Sequence, residues 1–157
     1  MPTELEQRAA VVAEARSWLG TPYHHMGRIK GVGADCLTTP LCCYQAVGLV
    51  PRSFAVPFYP LDWNLHRTEE RYLEGVLQFA REIPGPPQPG DLALWKFGRC
   101  FAHGAVVVDW PRVIHAQIGH GVRLEDVERA VWLNFVGEPG PDRGKPRPRR
   151  FFSPWAA

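Results

Sequence analysis

The sequence predicts an α+β domain in which N-terminal helices pack on a C-terminal antiparallel β-sheet meander. Two observations lead there. Up to residue 80 apolar residues recur at helical spacing; after the break at Pro84-Gly85-Pro86-Pro87 they gather into short runs with strand character. Short strands close together in sequence pair antiparallel, which argues against a helix-crossed parallel sheet. A chain of 157 residues is long enough to build one core of its own.

The elements follow in order. Thr3 and Glu6 have the spacing of a capping box, and Ala9, Val12, Ala15 and Leu19 carry the helix to its stop at Gly20-Thr21-Pro22. Residues 23–34 form a loop rich in Gly, His and basic side chains. Residues 41–47 read as a buried helix ending at Gly48. The segment 50–66, rich in proline and aromatic residues, reads as an ordered, irregular surface loop. Thr68 is the expected cap of an amphipathic helix carrying Tyr72, Leu73, Val76, Leu77 and Ala80. Pro89-Gly90-Asp91 then turns the chain into strands expected at 92–97, 102–109, 113–118 and 131–136. The folded domain is expected to span residues 1–137. Residues 138–157 read as a Pro/Arg-rich tail, solvated and poorly ordered, in which Arg143, Lys145, Arg147, Arg149 and Arg150 cluster. The alternative is a patch that docks onto an anionic wall polymer or a partner protein.

Composition excludes several classes. A net charge of +2 is too small to imply a nucleic-acid partner. No apolar run is long enough for a membrane span. The N-terminal stretch has neither the basic start nor the apolar core of a secretory leader, so no signal peptide is expected and the chain is read as made in the cytoplasm. Of the four cysteines, Cys42 and Cys43 are helix neighbours that cannot face each other, and no Cys-x-x-Cys or zinc spacing occurs. Cys42, Cys43 and Cys100 are expected to be core thiols. Neither metal nor cofactor is expected; the adjacent His24 and His25 lack a third ligand and read as loop residues lining a cleft, and His120 reads as a turn residue.

Cys36 differs through its surroundings. It lies where Gly31-Val32-Gly33-Ala34-Asp35 runs into a helix, and a thiol at a helix N-terminus meets the positive end of the macrodipole, which favours thiolate. A cysteine nucleophile also needs a histidine to carry the proton and a third group to orient that ring. His103 opens an apolar strand beside Gly104 and Ala105, small neighbours that let another element approach. His115 follows on the expected adjacent strand. A plain two-residue turn at Trp110-Pro111 would put the two rings on opposite sheet faces, so a shared face requires an odd-length turn or a bulge around residues 109–112.

These motifs together resemble the NlpC/P60 family of papain-like cell-wall cysteine peptidases. Gly20-Thr21-Pro22-Tyr23 looks like the family's Gly-x-Pro-Tyr motif, and Asp35-Cys36 like its nucleophile motif. Pro89-Gly90-Asp91-Leu92 resembles the turn before its first core strand, while His103-Gly104-Ala105 and Ile114-His115-Ala116 resemble its two histidine strands. The resemblance implies Cys36 as nucleophile, His103 as base and His115 as the residue orienting it. Tyr23, Asp35 and His24 complete the implied substrate-side and oxyanion set, together with the backbone N–H of Cys36. It also implies hydrolysis of an amide bond in peptidoglycan stem peptides, of the γ-D-glutamyl–diamino acid type. The loop of residues 24–33 is most similar to a phage-encoded, tail-associated subgroup, which implies phage tail partners and action at the cell wall.

One departure stands out. Leu37-Thr38-Thr39-Pro40 replaces the small and aliphatic residues usual after the nucleophile, and Pro40 cannot donate to the carbonyl of residue 36. Either the helix starts nearer Thr39, or its first turn is distorted. Two other functions stay open on the sequence: a catalytically weak or inactive tail or assembly module, and an acyl- or amide-transferring enzyme on the same scaffold.

Overall fold

The computed structural model describes residues 1–157. Helix α1 (Glu4–Ser17) begins at the expected capping box: Thr3 accepts from the Glu6 amide while the Glu6 carboxylate accepts from the Thr3 amide. Its partly charged face is anchored, not exposed. Arg8 is buried, donates to Asp91 Oδ1 and to the Pro89 carbonyl at 2.9 Å each, and lies 4.1 Å from the Trp155 ring. Asp91 is buried as well and accepts from the Gln88 amide, so the Pro89-Gly90-Asp91 turn is the seat on which α1 is bolted. Burying one ion pair this way is tolerable because the remaining polar atoms are hydrogen-bonded.

Two short strands, β1 (Arg28–Ile29) and β2 (Gly33–Ala34), form a hairpin in the loop before helix α2 (Thr38–Ala46). Gly48, at φ +79°, lets the chain turn out of that helix. The segment 50–66 is irregular as expected up to its end, where α3 (Trp63–His66) adds a single turn. Helix α4 (Arg71–Leu77) follows. Thr68 does not cap it; Glu70 occupies the cap position and spends its carboxylate on the Phe101 amide instead.

The main sheet has six antiparallel strands in the order β3-β8-β4-β5-β6-β7. They are β3 (Arg81–Ile83), β4 (Leu92–Phe97), β5 (Cys100–Asp109), β6 (Arg112–Gln117), β7 (Gly121–Asp126) and β8 (Arg149–Ser153). Strands β4 to β6 are the first three strands of the predicted meander. Leu92, Leu94, Val106, Val108, Ile114 and Ala116 pack with residues of α1, α2 and α4 in one core cluster. Ala93, Trp95, Ala105, Val107 and Val113 pack with Val127 and Leu133 in a second. Two covered faces explain why β4 and β5 read as continuous apolar runs and not as alternating strands.

Three expectations are corrected. The run 131–136 is not a strand but a short helix, α5 (Val131–Asn134), preceded by a 3₁₀ turn; four apolar residues carry too little periodicity to tell the two apart. Strand β7 was not foreseen. The boundary at residue 137 fails too, because the C-terminal segment is not a solvated tail. β8 inserts between β3 and β4, pairing Phe152 with Glu82 on one side and with Leu92 on the other. Its basic residues are structural: Arg147 is buried, donates to the carbonyls of Lys96, Trp132 and Phe135 and pairs with Glu138, while Arg150 pairs with Glu82. Phe152 is fully buried. Phe152→Ala is therefore expected to cost about 3–5 kcal/mol of folding free energy, read from urea denaturation; a change within error of zero would return this segment to the status of a tail.

Candidate active site

The register of β5 against β6 decides where the two histidines go. Asp109 pairs with Arg112 across the Trp110-Pro111 turn, which alone would separate the rings. A bulge between Val107 and Asp109 inserts one residue, and Val107 then pairs with Val113 and Val106 with Ile114. His103, Ala105, Val107, Val113 and His115 consequently share one face. The rings meet: His103 Nε2 lies 2.9 Å from His115 Nδ1, with the ring planes nearly perpendicular. Both residues are buried, and Trp132 of α5 stacks on His115 and meets His103 edge-on. The bulge inferred from face parity is present.

Cys36 precedes α2 by two residues. It is half-buried, and its thiol donates to the Ala102 carbonyl at 3.4 Å, one residue before His103. Cys36, His103, Tyr23, Asp35 and Trp132 line one cavity of about 330 Å³. His103 Nδ1 has no protein hydrogen-bond partner, so it is the nitrogen available to the thiol once Nε2 is engaged by His115. No thiol–imidazole hydrogen bond is formed in this structure; such bonds commonly tighten only when substrate is bound.

Tyr23 is placed by three backbone contacts. The Val122 amide donates to the Thr21 carbonyl, the Ala34 amide to the Pro22 carbonyl, and the His24 amide back to the Ala34 carbonyl. Gly121 is required beneath them: it sits at φ +74°, and a Cβ there would lie 2.5 Å from the Thr21 oxygen. Along this extended stretch side chains alternate. Tyr23 and His25 line the cavity, whereas His24 is exposed and does not. The period of two was the signal that could have picked His25 over His24.

Pro40 lies in the first turn of α2, which starts at Thr38. The hydrogen bond that its missing N–H cannot give to the Cys36 carbonyl is supplied by the Tyr72 hydroxyl at 2.9 Å. Gly104 makes room for it, since a Cβ there would lie 2.0 Å from that hydroxyl oxygen. The distortion anticipated from Pro40 is thus absorbed by a side chain of α4.

Asp35 is spent internally. Oδ1 accepts from the Leu37 and Thr38 amides, and Oδ2 from the Met26 amide and the Tyr59 hydroxyl. The first amides of α2 therefore point at Asp35, not at the thiol, and its carboxylate puts a negative charge beside Cys36. The expected shift toward thiolate is reversed: burial, and then Asp35, push the Cys36 thiol up to about 12 despite opposing amides of Gly104 and Cys36 itself. Burial also holds His103 well below the ordinary histidine range, reinforced by His115 and Arg147. His115 is lowered to about 4 by burial and by Arg123. At neutral pH the resting site is a neutral thiol facing two neutral imidazoles. Tyr23 is raised by burial, then by Cys36 and Asp35, and stays a neutral phenol.

A second cavity of about 540 Å³ lies across the wall formed by Leu37, Tyr59, Trp63 and Tyr72; it is mostly apolar and holds neither cysteine nor histidine. No three His, Cys, Asp or Glu side chains converge to hold a metal. No helix is long and apolar enough to cross a membrane.

The histidine shifts have a consequence for stability. A base whose folded pKa is depressed binds fewer protons folded than unfolded once pH falls below its unfolded value. Stability contributed by the neutral rings is thus whole above about pH 6.5 and is lost as pH falls toward about 4. His115→Asn is expected to flatten the fall between pH 6.5 and 4 in pH-dependent denaturation; an unchanged slope would contradict the buried, neutral assignment.

No family model and no curated protein matches the sequence. Solved structures do match. The chain is similar to the NlpC/p60 domain of the peptidoglycan hydrolase SagA, at 23% identity and TM-score 0.55 over 77% of this chain and 90% of that one. It is similar to NlpC2 from Trichomonas vaginalis, at 16% identity and TM-score 0.57, covering 92% of this chain but 47% of that one. RipD from Mycobacterium tuberculosis, a non-catalytic NlpC/p60 domain protein adapted to peptidoglycan binding, matches at 14% identity and TM-score 0.54, over 94% and 96%. These likenesses, all below 25% identity, establish the fold: helices packed on the antiparallel sheet of an NlpC/P60 domain.

Proposed function

We propose that this NlpC/P60-fold protein is a cysteine peptidase that hydrolyses an amide bond in peptidoglycan stem peptides, with Cys36 as nucleophile. The observation that carries the reading is the His103–His115 hydrogen bond beside the cavity that His103 and Cys36 both line. The peptidoglycan hydrolase among the structural neighbours supports the substrate class, and the γ-D-glutamyl–diamino acid bond is taken from the motif resemblance alone. Association with a phage tail is proposed on the same footing.

The geometry suits general-base attack by a neutral pair. With His103 protonated on Nε2 and donating to His115 Nδ1, its Nδ1 lone pair takes the thiol proton as Sγ bonds to the amide carbon. The carbonyl oxygen becomes an oxyanion, and the Cys36 amide is a backbone donor for it. Collapse breaks the C–N bond, and His103 returns its proton to the leaving amine. Water then attacks the thioester, giving its proton to Nδ1, and the thiol leaves with it. Tyr23, a neutral phenol on the cavity wall, is placed to bind substrate. Asp35 acts by holding α2 and the 23–34 loop in place and is not free to bind an oxyanion.

A second reading has an observation in its favour. The thiol pushed up to about 12, hydrogen-bonded to a carbonyl, would also suit a wall-binding module without turnover, and RipD shows that the fold hosts one. Mass spectrometry of a γ-D-glutamyl–diamino acid stem peptide incubated with wild type and Cys36→Ala separates the two. Cleavage by wild type, lost at least about a thousandfold in Cys36→Ala, is expected for the peptidase. Binding of peptidoglycan by both proteins without cleavage would favour the module, and equal cleavage by both would exclude a cysteine mechanism.

A further inference from the structure

The relay does not end at His115. Its second nitrogen, Nε2, is fully buried and has no hydrogen-bond partner, and the same is true of Glu125 Oε2. The two atoms lie 3.6 Å apart. Their placement follows from the β6–β7 register: Val113 pairs with Glu125 and His115 with Arg123, which puts Glu125 diagonally beside His115 on the face that carries both rings. The Glu125 carboxylate is mostly buried, and Arg123 Nε, 3.0 Å from Oε2, keeps a cation against it. A buried Nε2 without a hydrogen-bond partner costs the fold stability unless the carboxylate 3.6 Å away serves it.

We propose that Glu125 is a positioning residue for the catalytic relay, fixing the His115 tautomer and thereby the proton inventory of His103. A carboxylate at Nε2 is an acceptor, so His115 carries its proton there and presents a bare Nδ1 to His103. His103 must then donate through Nε2, which leaves Nδ1 unprotonated toward the thiol. When His103 takes the thiol proton and becomes a cation, the Glu125 charge favours it through the neutral His115 ring. Closure from 3.6 Å to a hydrogen bond requires only a small ring or carboxylate adjustment. The groups facing His115 are His103 from β5, Arg123 and Glu125 from β7, and the uncharged Trp132 from α5; Arg147 acts on His103. Of these, Glu125 alone is an acceptor aimed at Nε2.

Replacing the carboxylate with an amide inverts the inventory. The Glu125→Gln amide can donate to His115 Nε2, moving the His115 proton to Nδ1 and the His103 proton to its Nδ1, where it blocks the base. This inference takes Cys36 as nucleophile from the proposed function but does not depend on the substrate, so its test reads the thiol directly. Iodoacetamide alkylation of Cys36 would be followed from pH 5 to 11 by mass spectrometry in wild type, Glu125→Gln and Glu125→Asp, alongside kcat and KM on the stem peptide. The expected result is alkylation at pH 7 at least about tenfold slower in Glu125→Gln, converging with wild type at high pH where hydroxide ionises the thiol. kcat falls with KM held, and Glu125→Asp regains most of the loss. Superimposed profiles, or a reduction equal at every pH without recovery in Glu125→Asp, would overturn the proposal. A Glu125-dependent profile in a protein that cleaves no stem peptide would sink the substrate assignment and leave the relay standing.

Discussion

The pairing of β5 with β6 through a bulge at Val108 is the constraint on which the rest of the site depends. Side chains alternate along a strand, so a register one residue away would send His103 and His115 to opposite faces of the sheet. With the bulge, the rings share a face with Ala105, Val107 and Val113, and Trp132 closes over them. The same parity then runs on through β7, bringing Arg123 and Glu125 beside His115. A single inserted residue in one hairpin thus assembles a row of polar groups that no local sequence motif contains.

The other half of the site is held by hydroxyl groups and a carboxylate. Asp35 gathers four donors from the 23–34 loop, α2 and Tyr59, and Tyr72 supplies the hydrogen bond that Pro40 withholds from the Cys36 carbonyl. These contacts fix the backbone at Cys36 at the expense of the acidity of its thiol. The helix amides that would otherwise favour a thiolate are used by Asp35, and the thiol rests protonated. In the proposed peptidase a protonated thiol depends on its base at the moment of attack, and there the tautomeric state of His103 is the controlling variable.

Much of this was legible in the sequence. The capping box at Thr3 and Glu6, the helices that precede strands β4 to β6, and the need for a bulge between the histidines all follow from short-range rules, and the structure realises each. The likeness to NlpC/P60 structures bears out the fold that the motifs implied. What escaped was long-range. β8 carries only Phe151 and Phe152 as apolar residues among arginines and prolines, and its partners β3 and β4 lie more than fifty residues upstream, so composition alone points to a tail. Residues 131–134 are too few for a helical period to show. The use of Asp35 as a local acceptor, and of Tyr72 to replace the Pro40 donor, are contacts between loops and helices that spacing does not encode.

The most direct measurement of this account is the ¹⁵N chemical shift of the two imidazoles at pH 7 in protein labelled at histidine. His103 is expected to be neutral with its proton on Nε2 and a bare Nδ1, and His115 neutral with its proton on Nε2. A proton on His103 Nδ1, or a charged ring at either position in the resting protein, would contradict it.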